Sequence, residues 1–159
     1  MKKMIAVLVV LSALLLSPVS GAWAEAAMSI APDFTLKDTA GNTINLAAHR
    51  NNQPAILFFW TTWCPFCRDA LKELNSQYAD LTKAGWKVVP VDVGESFLKV
   101  TDFLKSNPLS FNVLLDDEAM VSRSYEVVGI PTYVLINKEG VIVFRDNYLP
   151  EGYAKLLAG

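Results

Sequence analysis

Phe58-Phe59-Trp60-Thr61-Thr62-Trp63-Cys64-Pro65-Phe66-Cys67-Arg68 is the stretch from which the rest of the chain can be read. An apolar run with the character of a buried strand stops at two threonines, and a helical pattern begins at once. Both cysteines of the protein sit at that switch, with Pro65 just inside the helix start, where its missing N–H costs nothing and its ring fixes the backbone. A cysteine at a helix N-terminus faces unpaired backbone N–H groups and the positive end of the helix dipole, both of which favour the thiolate. The thiolate is the nucleophile of disulfide exchange. Cys64 is therefore the expected attacking thiol, at the N-cap and pointing outward. Cys67, one turn in on the apolar stripe, is the expected resolving thiol, and it needs a nearby base to lose its proton in an apolar setting. Arg68 could add positive potential or be an ordinary solvated charge, and Trp63 could wall the sulfur or simply pack.

Outward from this point the pattern is α/β. Ala55 to Trp60 is a continuous apolar run expected as a central strand buried on both faces. Cys67, Leu71, Leu74, Tyr78 and Leu81 recur at helical spacing until Gly85. Val88 to Val93 is a second apolar strand, and Pro90 within it suits an edge or a bulge. Phe97, Val100, Phe103 and Leu104 mark an amphipathic helix ending near Asn107-Pro108. Phe111 to Leu115 is strand-like, and Asp116-Asp117-Glu118 reads as the acidic start of a short helix through Tyr125. Tyr133 to Ile136 and Val141 to Phe144 form a hairpin about Asn137-Lys138-Glu139-Gly140, and Glu151 to Leu157 is a last short helix. Upstream, Phe34-Thr35-Leu36 and Thr43-Ile44-Asn45-Leu46 flank a turn at Thr39 to Asn42, an N-terminal β-hairpin. The sum is a mixed central sheet flanked by helices. Strands joined by helices run parallel and gather their C-terminal ends at one edge, where ligands sit in open α/β sheets. That rule brings Glu95, just after the second strand, toward the dithiol; from spacing alone it is equally a helix-start carboxylate and the proton acceptor for Cys67.

Residues 1–24 are expected to be a secretory signal: Lys2 and Lys3, an apolar run from Met4 to Leu16, and a small-x-small site at Ala22-Trp23-Ala24. An uncleaved anchor is the alternative, but the run is short for a span and Ser17-Pro18-Val19-Ser20 interrupts it. Residues 25–159 are then one domain, in a periplasmic or secreted setting. Disulfides persist there, yet a bridge closing so small a loop removes little chain entropy, so a redox pair is the better reading than a staple. The formal charge of −2, with no basic cluster, points to no nucleic-acid partner. His49, the single histidine, is expected at the surface. No cofactor and no metal are expected, since one Cys pair without a second ligand pair is only half a zinc site.

Trp63-Cys64-Pro65-Phe66-Cys67, the helix after it and Gly129-Ile130-Pro131-Thr132 resemble the thioredoxin superfamily, in which a cis proline faces the CxxC. Pro32-Asp33-Phe34 with its hairpin, Phe59 to Cys64, Val91-Asp92-Val93-Gly94-Glu95-Ser96 and Leu135 to Gly140 are similar, more narrowly, to the exported TlpA/ResA/CcmG group. The resemblance implies a thioredoxin-like fold and a protein-disulfide reductase that uses Cys64 and Cys67, with Glu95 beside them as proton acceptor. It also implies a cis Ile130-Pro131 bond exposing the Ile130 backbone for strand-like pairing with a client. Trp63, Pro65, Phe66, Ile130 and Pro131 would contact that client. The partners it implies are a client protein with a disulfide, such as apocytochrome c during cytochrome c maturation, and a membrane thiol-disulfide electron donor. Pro65-Phe66 is closer to the Pro-x dipeptide of the CcmG-like branch than to the Glu-Pro of ResA, so a disulfide oxidant or isomerase stays open beside the reductant. Two readings from other classes are a thiol peroxidase, for which Thr61-Thr62-Trp63-Cys64 holds a Thr-x-x-Cys but Leu57 stands where a proline is wanted, and a redox-inactive binding module, which two retained cysteines disfavour.

Overall fold

The computed structural model describes residues 29–157; the expected signal at 1–24 lies outside them. Among the described residues no helix is long and apolar enough to cross a membrane.

The apolar run becomes β3 (Ala55–Trp60), in which every residue is buried. It lies between β4 (Lys87–Val93), parallel to it, and β6 (Thr132–Ile136), antiparallel. With β1 (Thr35–Asp38), β2 (Thr43–Asn45), β5 (Leu114–Asp116) and β7 (Ile142–Asp146) they form one mixed sheet of order β2-β1-β5-β4-β3-β6-β7. The expected N-terminal hairpin is β1–β2, at the β2 end of that order.

Period-two alternation splits β3 between two cores. Ile56, Phe58 and Trp60 face α2 (Pro65–Lys83), whose stripe of Cys67, Leu71, Leu74 and Leu81 covers them. Each buried leucine there contributes roughly 1.5–3 kcal/mol of transfer free energy. Leu57 and Phe59 face the other way, toward Phe34, Tyr125 and Leu46 of α1 (Leu46–Arg50). α2 stops at Ala84, and Gly85 takes a left-handed turn at φ 83°. His49, on α1, is exposed as expected.

Three expectations need correction. β4 is an interior strand, not an edge; Pro90 is tolerated because β5 pairs only with Val91–Val93, so that at Pro90 β4 is bonded on the β3 side alone. α3 (Phe97–Ser106) is the expected amphipathic helix, with Val100 buried and Phe103 and Leu104 packed on the same core, while Phe97 at its first turn is half open to solvent. In α4 (Met120–Ser124) the cap comes from the end of β5: buried Asp116 accepts N–H bonds from Val121 (3.0 Å) and Ser122 (2.7 Å), whereas Asp117 and Glu118 are exposed. The last helix is α5 (Tyr153–Leu157), two residues shorter at its start than expected.

Candidate active site

The site is built where β3 hands over to α2. Cys64 is the N-cap of α2 and accepts the Cys67 N–H at its Sγ, 3.2 Å away, in the place where a serine or aspartate would cap. This bond turns the side chain back over the first turn. Cys64 is consequently buried, 4 % accessible, and does not point outward as expected from the sequence. Both cysteines are free thiols, and Cys67 is fully buried. Burial pushes the Cys67 thiol up to about 12, with the adjacent Cys64 sulfur acting in the same direction. Arg68, Pro65 and Phe66 project from the helix start into solvent, Phe66 at 77 % exposure.

Glu95 arrives from the next strand. Gly94, at φ 71° with its N–H donated to the Asp116 carbonyl, turns the chain out of β4. Ser96, not Glu95, caps α3. The Glu95 carboxylate reaches across to the β3–α2 loop instead, accepting from the backbone N–H and the hydroxyl of Thr62 (2.9 Å for the latter) and pairing with Lys99 Nζ at 2.6 Å. It is buried while Lys99 is half exposed. Burial raises its proton affinity, but Lys99 and the Thr62 donors outweigh it and hold the carboxyl below its ordinary value. Among the described residues neither sulfur is hydrogen-bonded to Glu95.

Asp92 has no role that its sequence context alone assigns. It is completely buried in β4, directly across from Trp60 in the parallel register, and so lies on the α2 side of the sheet. Burial first, and the Glu95 carboxyl beside it second, push it up to about 8, opposed more weakly by the Glu95 backbone N–H and then by Lys99. Neither of its oxygens completes a hydrogen bond. The signal in the sequence was a lone acid between valines in a strand expected to be buried, a placement charged groups rarely occupy unpaired.

Trp63, 63 % exposed, forms one wall of an open cleft of about 420 Å³. Glu95, Lys99, Val128, Gly129 and Ile130 are among the other residues that line it. The Ile130-Pro131 bond is cis, and both residues are half-buried at the head of β6. The loops after β3 and β4 and the loop before β6 thus meet at one edge, bringing together Trp63, Glu95 and Ile130 from distant parts of the chain. Pro65 and Phe66 stand outside the cleft.

The family model described as AhpC/TSA family matches residues 28–145. The chain belongs to that family. Within it, the chain groups with the ResA-type thiol-disulfide oxidoreductases. It is 39 % identical over 115 residues to ResA of Bacillus subtilis, covering 72 % of this chain and 64 % of ResA, so it spans just under two thirds of that relative. It is 34 % identical over 112 residues to the sporulation thiol-disulfide oxidoreductase A of the same organism, covering 69 % of this chain and 67 % of the relative. Among solved structures, a Chlorobium tepidum protein assigned as the thiol:disulfide interchange protein DsbE superposes with a TM-score of 0.74 at 27 % identity, over 82 % of this chain and 94 % of that one. StoA of Bacillus subtilis superposes with a TM-score of 0.64 at 30 % identity, over 74 % and 89 %. The thioredoxin-like α/β fold with its added N-terminal strand pair is common ground between this AhpC/TSA protein and those structures.

Proposed function

We propose that this protein is a thiol-disulfide oxidoreductase acting outside the cytosol as a reductant of client proteins. The observation that carries the reading is a pair of free thiols, one turn apart at the start of α2, beside a cleft walled by Trp63, Val128 and Ile130. Cys64 attacks one sulfur of a client disulfide as the thiolate, breaking the S–S bond and forming a mixed disulfide while the other client sulfur leaves as a thiolate. Cys67 then gives up its proton, Glu95 being the acceptor directly or through a water, and attacks Cys64 Sγ. The second client sulfur departs, and two electrons have passed from the dithiol to the client. Trp63, Ile130 and Pro131 bear on the client segment, with Pro65 and Phe66 on its outer side.

The stabilisation of the two thiolates supports the reducing direction. A dithiol becomes oxidising when its reduced form is stabilised. Here Cys64 accepts a single N–H bond, and burial holds Cys67 as a thiol far above the ordinary cysteine range, so the reduced form gains nothing from a second thiolate. Haem-binding cysteines of apocytochrome c are the client class, and a membrane thiol-disulfide protein is the donor that re-reduces the pair.

Cys67→Ala tests this. With the resolving thiol gone, clients stay bound to Cys64 as mixed disulfides that a reductant releases; a folded, exported variant that accumulates no such adducts sinks the proposal.

A further inference from the structure

Among the described residues, four buried side-chain polar atoms lack a hydrogen-bond partner: Trp60 Nε1, Thr61 Oγ1 and both carboxyl oxygens of Asp92. Trp60 and Asp92 lie at the C-terminal ends of β3 and β4, and Thr61 is the first residue of the loop that leads from β3 to the dithiol. An ionised carboxylate left without donors in such a place is strongly disfavoured, whereas a protonated one becomes a donor itself. The acceptor beside that donor is the Glu95 carboxylate, which already pairs with Lys99 and accepts from Thr62. The groups around Asp92 that carry or can carry charge are few. α3 and its lead-in supply Lys99 and Glu95, and α2 supplies Cys64 and Cys67 from the same side of the sheet. β3 and β5 present Trp60 and Leu115, which do not titrate.

We propose that Asp92 and Glu95 hold one shared proton beneath the dithiol, and that Asp92 is the positioning residue that lets Glu95 lend this proton and take one back within each exchange. This rests on the dithiol reading above. The balance is as follows. Counted from the attacking form of the dithiol, with Cys64 as thiolate and Cys67 as thiol, the carboxyl pair carries one proton. Cys64 attacks the client disulfide; the first client thiolate leaves and takes the proton of the pair through Glu95, which lines the cleft. Both carboxyls are now anionic, side by side and buried, so the pair has its highest proton affinity when Cys67 has to be deprotonated. Cys67 returns a proton to the pair and attacks Cys64 Sγ. The second client thiolate takes a proton from water, and each cycle consumes one solvent proton. Glu95 alone, paired with Lys99 and held below its ordinary value, is too weak a base for a thiol raised by burial; its anionic neighbour supplies the missing basicity.

Two measurements on the full chain decide the matter. In a Cys64→Ser/Cys67→Ser background no thiol titrates, and infrared titration should show a protonated carboxyl band persisting above about pH 6, where ordinary carboxyls have ionised. Adding Asp92→Asn should abolish the band. No such band, or one that survives Asp92→Asn, overturns the proposal. With both thiols present and a disulfide peptide as client, Asp92→Asn should slow release of the second client thiol about a hundredfold near neutrality, within the usual range for general-base assistance. Its pH profile should lose the near-neutral inflection, and near-ultraviolet circular dichroism should confirm native packing. A folded Asp92→Asn chain with an unaltered profile also overturns it. The infrared arm needs no thiol chemistry, so absence of exchange in the unmodified chain counts against the dithiol reading alone.

Discussion

Cys64→Ser leaves Cys67 as the single thiol of the chain, and its reactivity then measures how strongly the core holds it neutral. Burial is the first cause of its raised proton affinity and the Cys64 sulfur only the second, so most of the shift should survive the substitution. A rise from 9.0 to about 12 corresponds to about 4 kcal/mol against ionisation. At pH 8 the thiolate fraction falls from about one in ten to about one in ten thousand, roughly a thousandfold. The more basic thiolate is intrinsically more nucleophilic, which returns roughly twentyfold at the usual Brønsted slope. A net retardation of roughly fiftyfold remains before any steric hindrance is counted. The assay is mass-spectrometric timing of iodoacetamide addition to Cys64→Ser at pH 8, folded and in denaturant. Folded and unfolded chains reacting within a few-fold of each other would refute the argument that burial governs Cys67.

Asp92 also ties stability to pH. Its folded-state value lies above its unfolded one, so the stability it contributes is complete below about pH 4 and is lost as pH rises through about 8. Denaturant melts should show the parent weakening by a few kcal/mol across that window and Asp92→Asn weakening much less. Asp116→Ala removes the acceptor of two buried N–H groups at the start of α4. It should cost about 1–3 kcal/mol in the same melts without altering Cys67 reactivity.

What could be read from the sequence was whatever depends on local periodicity and on chain-order rules. β3 and α2 announce themselves through a six-residue apolar run and a five-residue stripe, and the convergence of Glu95 on the dithiol loop follows from the parallel connection of β3 to β4. Burial of Cys64 could not be read, because it depends on the N-cap bond bending the sulfur back over its own helix. Pro90 misled for a related reason: whether a strand is an edge can vary along its length, and β4 is bonded on both sides only from Val91 onward. Asp92 passed unremarked because a lone acid in a strand acquires meaning only when its neighbours are known, and those are Trp60 across the ladder and Glu95 three residues on.

The Cys67 N–H that caps Cys64 Sγ ties helix geometry to covalent state. While Cys64 is a thiolate, this amide donates to a full negative charge; once the sulfur enters a mixed disulfide, the charge is gone and the bond weakens. The backbone amide of the resolving cysteine is therefore a built-in indicator of how far the exchange has advanced. Its nitrogen-15 and proton resonances should report each covalent state of Cys64 without any added label near the site.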